Sequence, residues 1–193
     1  MNLTQLFETR TENKDLIDLS KIILSKYKNK PQRELSLQGL YSADEPAIAN
    51  LVQTVKVKID SKFDRSLYNP KTKEVLLRLQ TNLGQMQSEL VHELQHALDD
   101  LKSQGKFRNE KGDYYGRQSE VNARLTQAIN DVESALSKIK MKNPDFSNPV
   151  IRNNVEKLIH NYLRIHKLTD QYGLDNKRYR RLVSRIYQYV VNR

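Results

Sequence analysis

The segment Met86–Leu101 (MQSELVHELQHALDDL) constrains the fold most, because its apolar residues follow the spacing of a helix and not that of a strand. Leu90, Val91, Leu94, Ala97, Leu98 and Leu101 recur every three or four residues and make one apolar stripe. At about 100° per residue, that stripe is centred nearly opposite His92 and His96. These two residues are four apart, so they share one face, a turn from each other. A helix is expected that buries one side in a core and turns two imidazoles toward a different environment.

His92-Glu93-Leu94-Gln95-His96 is also an H-E-x-x-H pattern. Two imidazoles at this spacing can bind one zinc ion, and the glutamate between them can reach a water on the metal. The chemistry indicated is metal-assisted hydrolysis of a peptide bond. The plain alternative is an amphipathic helix with two histidines on its polar face.

A zinc site of this kind needs a third protein ligand and an open position for water. The chain has no cysteine, and its other histidines, His160 and His166, lie far downstream. They are also six residues apart, on nearly opposite sides of a helix. A carboxylate is therefore expected. A second helix is predicted to begin at Gln118 or Ser119, with apolar positions Val121, Leu125, Ala128, Val132, Leu136 and Ile139. Glu120 falls in its first turn, and small Ala123 lets two helices approach closely. Glu120 is the preferred ligand, and its bland role is a helix N-terminal carboxylate paired with Arg124. Glu133, Glu110 and Asp113 are weaker candidates.

Upstream, Ser66 to Leu79 reads as strand, turn, strand. Asn69-Pro70 marks the turn, and Val75, Leu77 and Leu79 alternate with Glu74, Leu76 and Arg78. A strand beside a metal can hold an extended peptide by edge pairing. Further strands are predicted over Leu35–Tyr41 and Val55–Ile59. Helices are predicted over Lys14–Tyr27 and Ala47–Gln53, with Pro46 in the first turn of the latter.

In these residues the chain resembles the zincin metallopeptidases, of the gluzincin type with two histidines and a downstream glutamate. The likeness rests on Tyr68-Asn69-Pro70 with its following strand, on His92-Glu93-x-x-His96, and on Glu120-Val121-Asn122-Ala123-Arg124. It spans about a third of the chain, from Ser66 to Ile129. It looks most like small zincin domains of bacteriophage and mobile-element proteins. The chain departs from larger gluzincins in its size and in lacking a separate substrate-binding domain of usual dimensions. The resemblance implies an α+β fold: a small antiparallel or mixed sheet with an active-site helix, followed by a helical C-terminal extension. It implies Zn²⁺ on His92, His96 and Glu120, with Glu93 as general base. Tyr114 or Tyr115 would donate a hydrogen bond to the oxyanion. Asp99, Asn122 and Arg124 are candidates to orient the ligands.

Composition bounds the rest. With 193 residues, 37% apolar, and a mean hydropathy of −0.76, a modest core and much charged surface are expected. No apolar run approaches the roughly 18 residues that span a membrane, and the first residues lack a secretory signal. The absence of cysteine excludes disulfides. A cytoplasmic or virion-associated protein is expected.

Asn143-Pro144 and Asn148-Pro149 bracket a linker, dividing a zincin-like domain, 1–143, from an extension, 144–193. In the extension two amphipathic helices are predicted, Val150–Leu168 and Asp175–Val191, meeting near Gly173. From Pro149 onward, ten Lys and Arg stand against three Asp and Glu, a balance of +7 out of the chain's +10. Lys177, Arg178, Arg180, Arg181 and Arg185, with Tyr179, Tyr187 and Tyr189, could meet nucleic-acid phosphates and bases. The favoured reading is a solvated basic face with the tyrosines packed inside. Expected partners are a protein or peptide substrate, other phage or virion proteins, and nucleic acid through these helices. Two functional alternatives stand beside the peptidase: a virion structural protein that keeps a zincin fold with little turnover, and a nucleic-acid-binding protein.

Overall fold

The structure, a computed structural model, describes residues 9–29, 34–105, 118–138, 145–169, 173–174 and 176–191. In chain order these form α1 (Thr9–Asn29), β1 (Glu34–Ser36), α2 (Pro46–Thr54), β2 (Lys56–Asp60), β3 (Leu67–Asn69), β4 (Glu74–Arg78), α3 (Leu83–Lys102), α4 (Gln118–Lys138), α5 (Pro149–Ile165) and α6 (Lys177–Val191). The fold is α+β: a small mixed sheet on one side, and a helical C-terminal part on the other. None of these helices is long and apolar enough to cross a membrane.

The sheet runs β1-β2-β4-β3. β2 and β4 pair in parallel, with Val57 opposite Val75 and Ile59 opposite Leu77. β1 and β3 flank them antiparallel. Alternation along the strands sorts the two faces. Val57, Ile59, Val75 and Leu77 are buried, while Lys58 reaches Glu74 at 2.7 Å and Lys56 reaches Glu34 at 3.0 Å on the outer face. The strand predicted over Leu35–Tyr41 is shorter. It stops at Ser36, where Leu40 N–H bonds back to the Leu37 carbonyl and Gly39 turns the chain at φ +75°.

Two apolar cores lie on either side of α3. The first joins Leu16, Leu19 and Ile23 of α1 and Ile48 and Leu51 of α2 to the sheet, and takes Met86, Leu90, Leu94 and Leu98 from α3. The second gathers Leu125, Ala128 and Val132 of α4, Val155, Ile159 and Leu163 of α5, and Tyr179, Leu182 and Ile186 of α6, together with Val91 of α3. Each fully buried Leu or Ile is worth about 1.5–3 kcal/mol of transfer free energy. α3 is started by Asn82, whose Oδ1 accepts from the N–H groups of Gly84 and Gln85. Asn148 caps α5 in the same way, with Pro149 in the first turn.

α3 buries more than its apolar stripe. Ser88, Glu93, Gln95, Asp99 and Asp100 are buried along with its leucines. The side that reads as polar in the sequence is covered by α4, which runs antiparallel to it. Gln87 meets Asn130, Ser88 meets Asp131, Gln95 meets Thr126 and Asp99 meets Asn122, so one numbering falls as the other rises.

Candidate metal centre

α3 and α4 bring together the two histidines and the glutamate expected of a three-ligand site. Four-residue spacing puts His92 and His96 on the α4 side of α3, and Glu120, in the first turn of α4, faces both. The Nε2 atoms of His92 and His96 lie 3.1 Å apart. Glu120 Oε2 lies 3.3 Å from His96 Nε2 and 3.8 Å from His92 Nε2. This group can hold a metal ion.

Two observations fit that role. Metal bonds of about 2.0–2.2 Å in a tetrahedron put donor atoms roughly 3.3–3.6 Å apart, and the three separations here bracket that range. Glu120 is only 1% exposed, yet Oε2 accepts no hydrogen bond. A buried carboxylate oxygen left this way is costly unless a cation meets it. The other oxygen, Oε1, accepts from Arg124 Nε at 2.6 Å. Arg124 also donates to the His166 carbonyl at 2.8 Å, which fixes the guanidinium. Arg124 therefore fixes one oxygen of Glu120 and leaves the other facing the two histidines.

The electrostatics favour cation binding too. Burial and the neighbouring His96 push His92 down to about 3, so its ring is neutral at ordinary pH. Burial also works to lower His96, but Glu120 and Glu93 outweigh it and raise the group. Burial works to raise Glu120, yet His96, His92 and Arg124 outweigh it and bring the carboxyl down to about 2. His96 Nε2 stands 3.3 Å from Glu120 Oε2, and a metal ion held between them would require the ring to be neutral.

Glu93 sits beside the three donors and is 8% exposed. Its Oε2 accepts from the backbone N–H of Tyr68 on the edge strand β3, at 2.7 Å. Burial pushes its carboxyl up to about 7. Asp99 lies one turn beyond His96. Its oxygens accept from Gln95 Nε2 at 2.9 Å and Asn122 Nδ2 at 3.1 Å, while burial pushes it up to about 6. Asp99 and Asn122 thus bond to each other behind the site.

A cleft of about 260 Å³ opens beside His92 and Glu93, lined also by Arg65, Arg78, Glu89 and Gln127. Gln127 is a residue that sequence reasoning missed, and so is Asp131. Asp131 accepts from Ser88 Oγ at 3.1 Å and lies 2.9 Å from His166 Nε2. Their spacing was the available signal: Arg124, Gln127 and Asp131 follow Glu120 by four, seven and eleven residues, down one face of α4.

The remaining expected residues lie elsewhere. Tyr114, Tyr115, Glu110 and Asp113 fall outside the described residues, as do Ile139, Asn143 and Pro144. Glu133 contacts Lys21 and Tyr189 instead of the histidines. His160 meets the Tyr179 hydroxyl at 2.7 Å, and His166 follows the end of α5. On α6, Lys177, Arg178, Arg180 and Arg181 are exposed. Tyr179 and Tyr189 are buried in the second core. Arg185 is partly buried, and burial pushes it down to about 10 against the opposing pull of Glu12 and Asp99. No protein family, curated protein or solved structure compared with the chain matches it.

Proposed function

We propose that the chain is a zinc-dependent peptidase of the zincin kind. The observation that carries this reading is the convergence of His92 Nε2, His96 Nε2 and the unsatisfied Glu120 Oε2 within 3.1–3.8 Å of one another, with Glu93 alongside. Two imidazoles and a carboxylate suit zinc. The same donor set can serve iron in an octahedral site, where neighbouring donors stand roughly 2.8–3.1 Å apart. The two separations to Glu120, 3.3 and 3.8 Å, are wider than that and suit the tetrahedral metal.

A zinc ion held by His92, His96 and Glu120 would supply an activated water and polarise the scissile carbonyl. The protein does the rest. Glu93 is held by the Tyr68 N–H, and its carboxyl near 7 is matched to taking a proton from water and returning it to the leaving amine at neutral pH. Arg124 keeps one Glu120 oxygen occupied and so leaves the other for the metal. β3 is an edge strand whose Tyr68 N–H is taken by Glu93, so an extended substrate would pair with its remaining edge groups. Binding of nucleic acid through α6 has less support, because two of its tyrosines are buried and Arg185 is turned inward.

Metal analysis of purified, zinc-replete protein tests the proposal. About one zinc per chain is expected, lost in His96→Ala. Glu93→Gln should retain the metal and release no new amino termini from a mixed peptide library. A wild-type protein without zinc, or a Glu93→Gln variant as active as wild type, would overturn it.

A further inference from the structure

Resting on the zinc reading proposed above, we infer that His166, in the C-terminal extension, is a positioning residue for the metal centre and holds Glu120 in place through Arg124. His166 caps the C-terminus of α5, with its N–H bonded to the Tyr162 carbonyl at 3.0 Å. The last carbonyls of a helix have no intrahelical donor, and they form the negative end of its dipole. Lys167 follows at φ +58°, and the His166 carbonyl accepts from Arg124 Nη1 at 2.8 Å. Through Nε the same guanidinium donates to Glu120 Oε1 at 2.6 Å. One rigid, planar fork thus joins the end of α5 to the carboxylate, so the direction of one bond constrains the other.

The ring of His166 fixes where that carbonyl stands. It is buried, and Nε2 donates to Asp131 Oδ2 at 2.9 Å. Asp131 is itself held on both oxygens. Oδ2 also accepts from Ser88 Oγ of α3 at 3.1 Å, and Oδ1 accepts from Asn130 Nδ2 at 3.1 Å. Asp131 follows Arg124 by two turns on one face of α4, about 10 Å along the axis. His166 therefore grips α4 at two points, with its ring on Asp131 and its carbonyl on Arg124. One point alone would leave the residue free to pivot. The apolar contacts of α5, through Val155, Ile159 and Leu163, press the helix into the second core but give no direction to a single carbonyl. The end of α5 thus supports the metal centre, and the extension completes the site.

Zinc affinity of the full-length chain, measured by competition with a chromophoric chelator, tests this. His166→Ala should weaken binding about tenfold, as expected when a partner behind a ligand is lost. His166→Gln, whose amide nitrogen stands close to the place of Nε2, should keep most of the affinity. His160→Ala removes a different contact of α5, the one with the Tyr179 hydroxyl. It should leave zinc binding within about twofold of wild type, although it disturbs the same helix. Because His166 acts through Arg124, adding His166→Ala to Arg124→Gln should change affinity by no more than about twofold. Circular dichroism and urea unfolding verify that each variant folds. His166→Asn, too short to reach Asp131, takes the place of His166→Ala if the alanine variant does not fold. Three results would overturn the inference and leave the metal centre standing: zinc binding as tight in His166→Ala as in wild type, an equal loss in His160→Ala, or a second loss of about tenfold on top of Arg124→Gln. A wild-type chain that binds no zinc overturns both.

Discussion

Replacing Glu93 by Gln should stabilise the metal-free protein at alkaline pH, and on the proposed peptidase reading it should also abolish hydrolysis. Burial holds the Glu93 carboxyl at about 7, against 4.5 for an ordinary glutamate. Between those values the folded protein keeps a proton that the unfolded chain gives up. The stability this group contributes is therefore complete below pH 4.5 and is lost as pH rises through 7. At 1.36 kcal/mol for each pH unit between the two values, the full loss is about 3 kcal/mol, and most of it falls between pH 5 and pH 8. Gln has the same shape, retains an oxygen for the Tyr68 N–H, and cannot ionise. Urea unfolding of chelator-treated wild type and variant, followed by circular dichroism at pH 5 and pH 8, measures the effect. The variant should gain roughly 2 to 3 kcal/mol on wild type between the two pH values. Because only the change in the gap is read, any fixed effect of Gln cancels. A gap that stays constant or narrows would refute the reasoning, since it would mean that Glu93 ionises in the fold without penalty.

Glu120→Gln should show the opposite slope. The Glu120 carboxyl is lowered to about 2, so its contribution is present above pH 4.5 and is lost as pH falls toward 2. In metal-free protein the variant should be weakest relative to wild type at neutral pH and converge with it in acid, as read by thermal melts along a pH series. Arg124→Gln frees Glu120 Oε1 and should weaken zinc binding by about 10- to 100-fold in a chelator competition titration, leaving the stoichiometry at one. Leu94→Ala removes a fully buried side chain between α3 and the sheet, and should cost about 2–5 kcal/mol in urea unfolding.

Local periodicity made much of this molecule legible. The spacing of Leu90, Leu94 and Leu98 gives α3, alternation over Val57 and Ile59 gives β2, and Pro46 and Pro149 mark the first turns of α2 and α5. The two histidines need only a helix to meet, so they were readable from four-residue spacing alone. Glu120 needed a second helix and a guess at its direction. The strand order was out of reach, because the parallel pairing of β2 with β4 depends on what the sheet packs against and not on either strand. For the same reason the burial of Ser88, Gln95 and Asp99 under α4 could not be read from α3 alone. Asp131 and His166 are 35 residues apart and meet only because α5 folds back on α4. The tyrosines of α6 carried the reverse ambiguity. Their spacing suits packing as well as base stacking, and Tyr179 and Tyr189 pack.

The polar seam between α3 and α4 ties this fold to its site. Apolar helices can slide past one another by a turn at modest loss, since one leucine fills much the same hole as the next. Buried hydrogen-bonding pairs tolerate no such slip, because each group left without a partner costs about 1–3 kcal/mol. Gln87 with Asn130, Ser88 with Asp131, Gln95 with Thr126 and Asp99 with Asn122 fix one register over the length of the interface. A shift of one turn, about 5.4 Å along the axis, would exceed the 3.3 and 3.8 Å that separate Glu120 Oε2 from the two rings, and would take the carboxylate out of the cluster. The seam therefore sets the position of Glu120 against the two histidines, and Arg124 holds one of its oxygens. Polar residues inside a small core weaken it relative to an all-apolar interface. What they supply is one register, and a three-donor centre divided between two helices requires one.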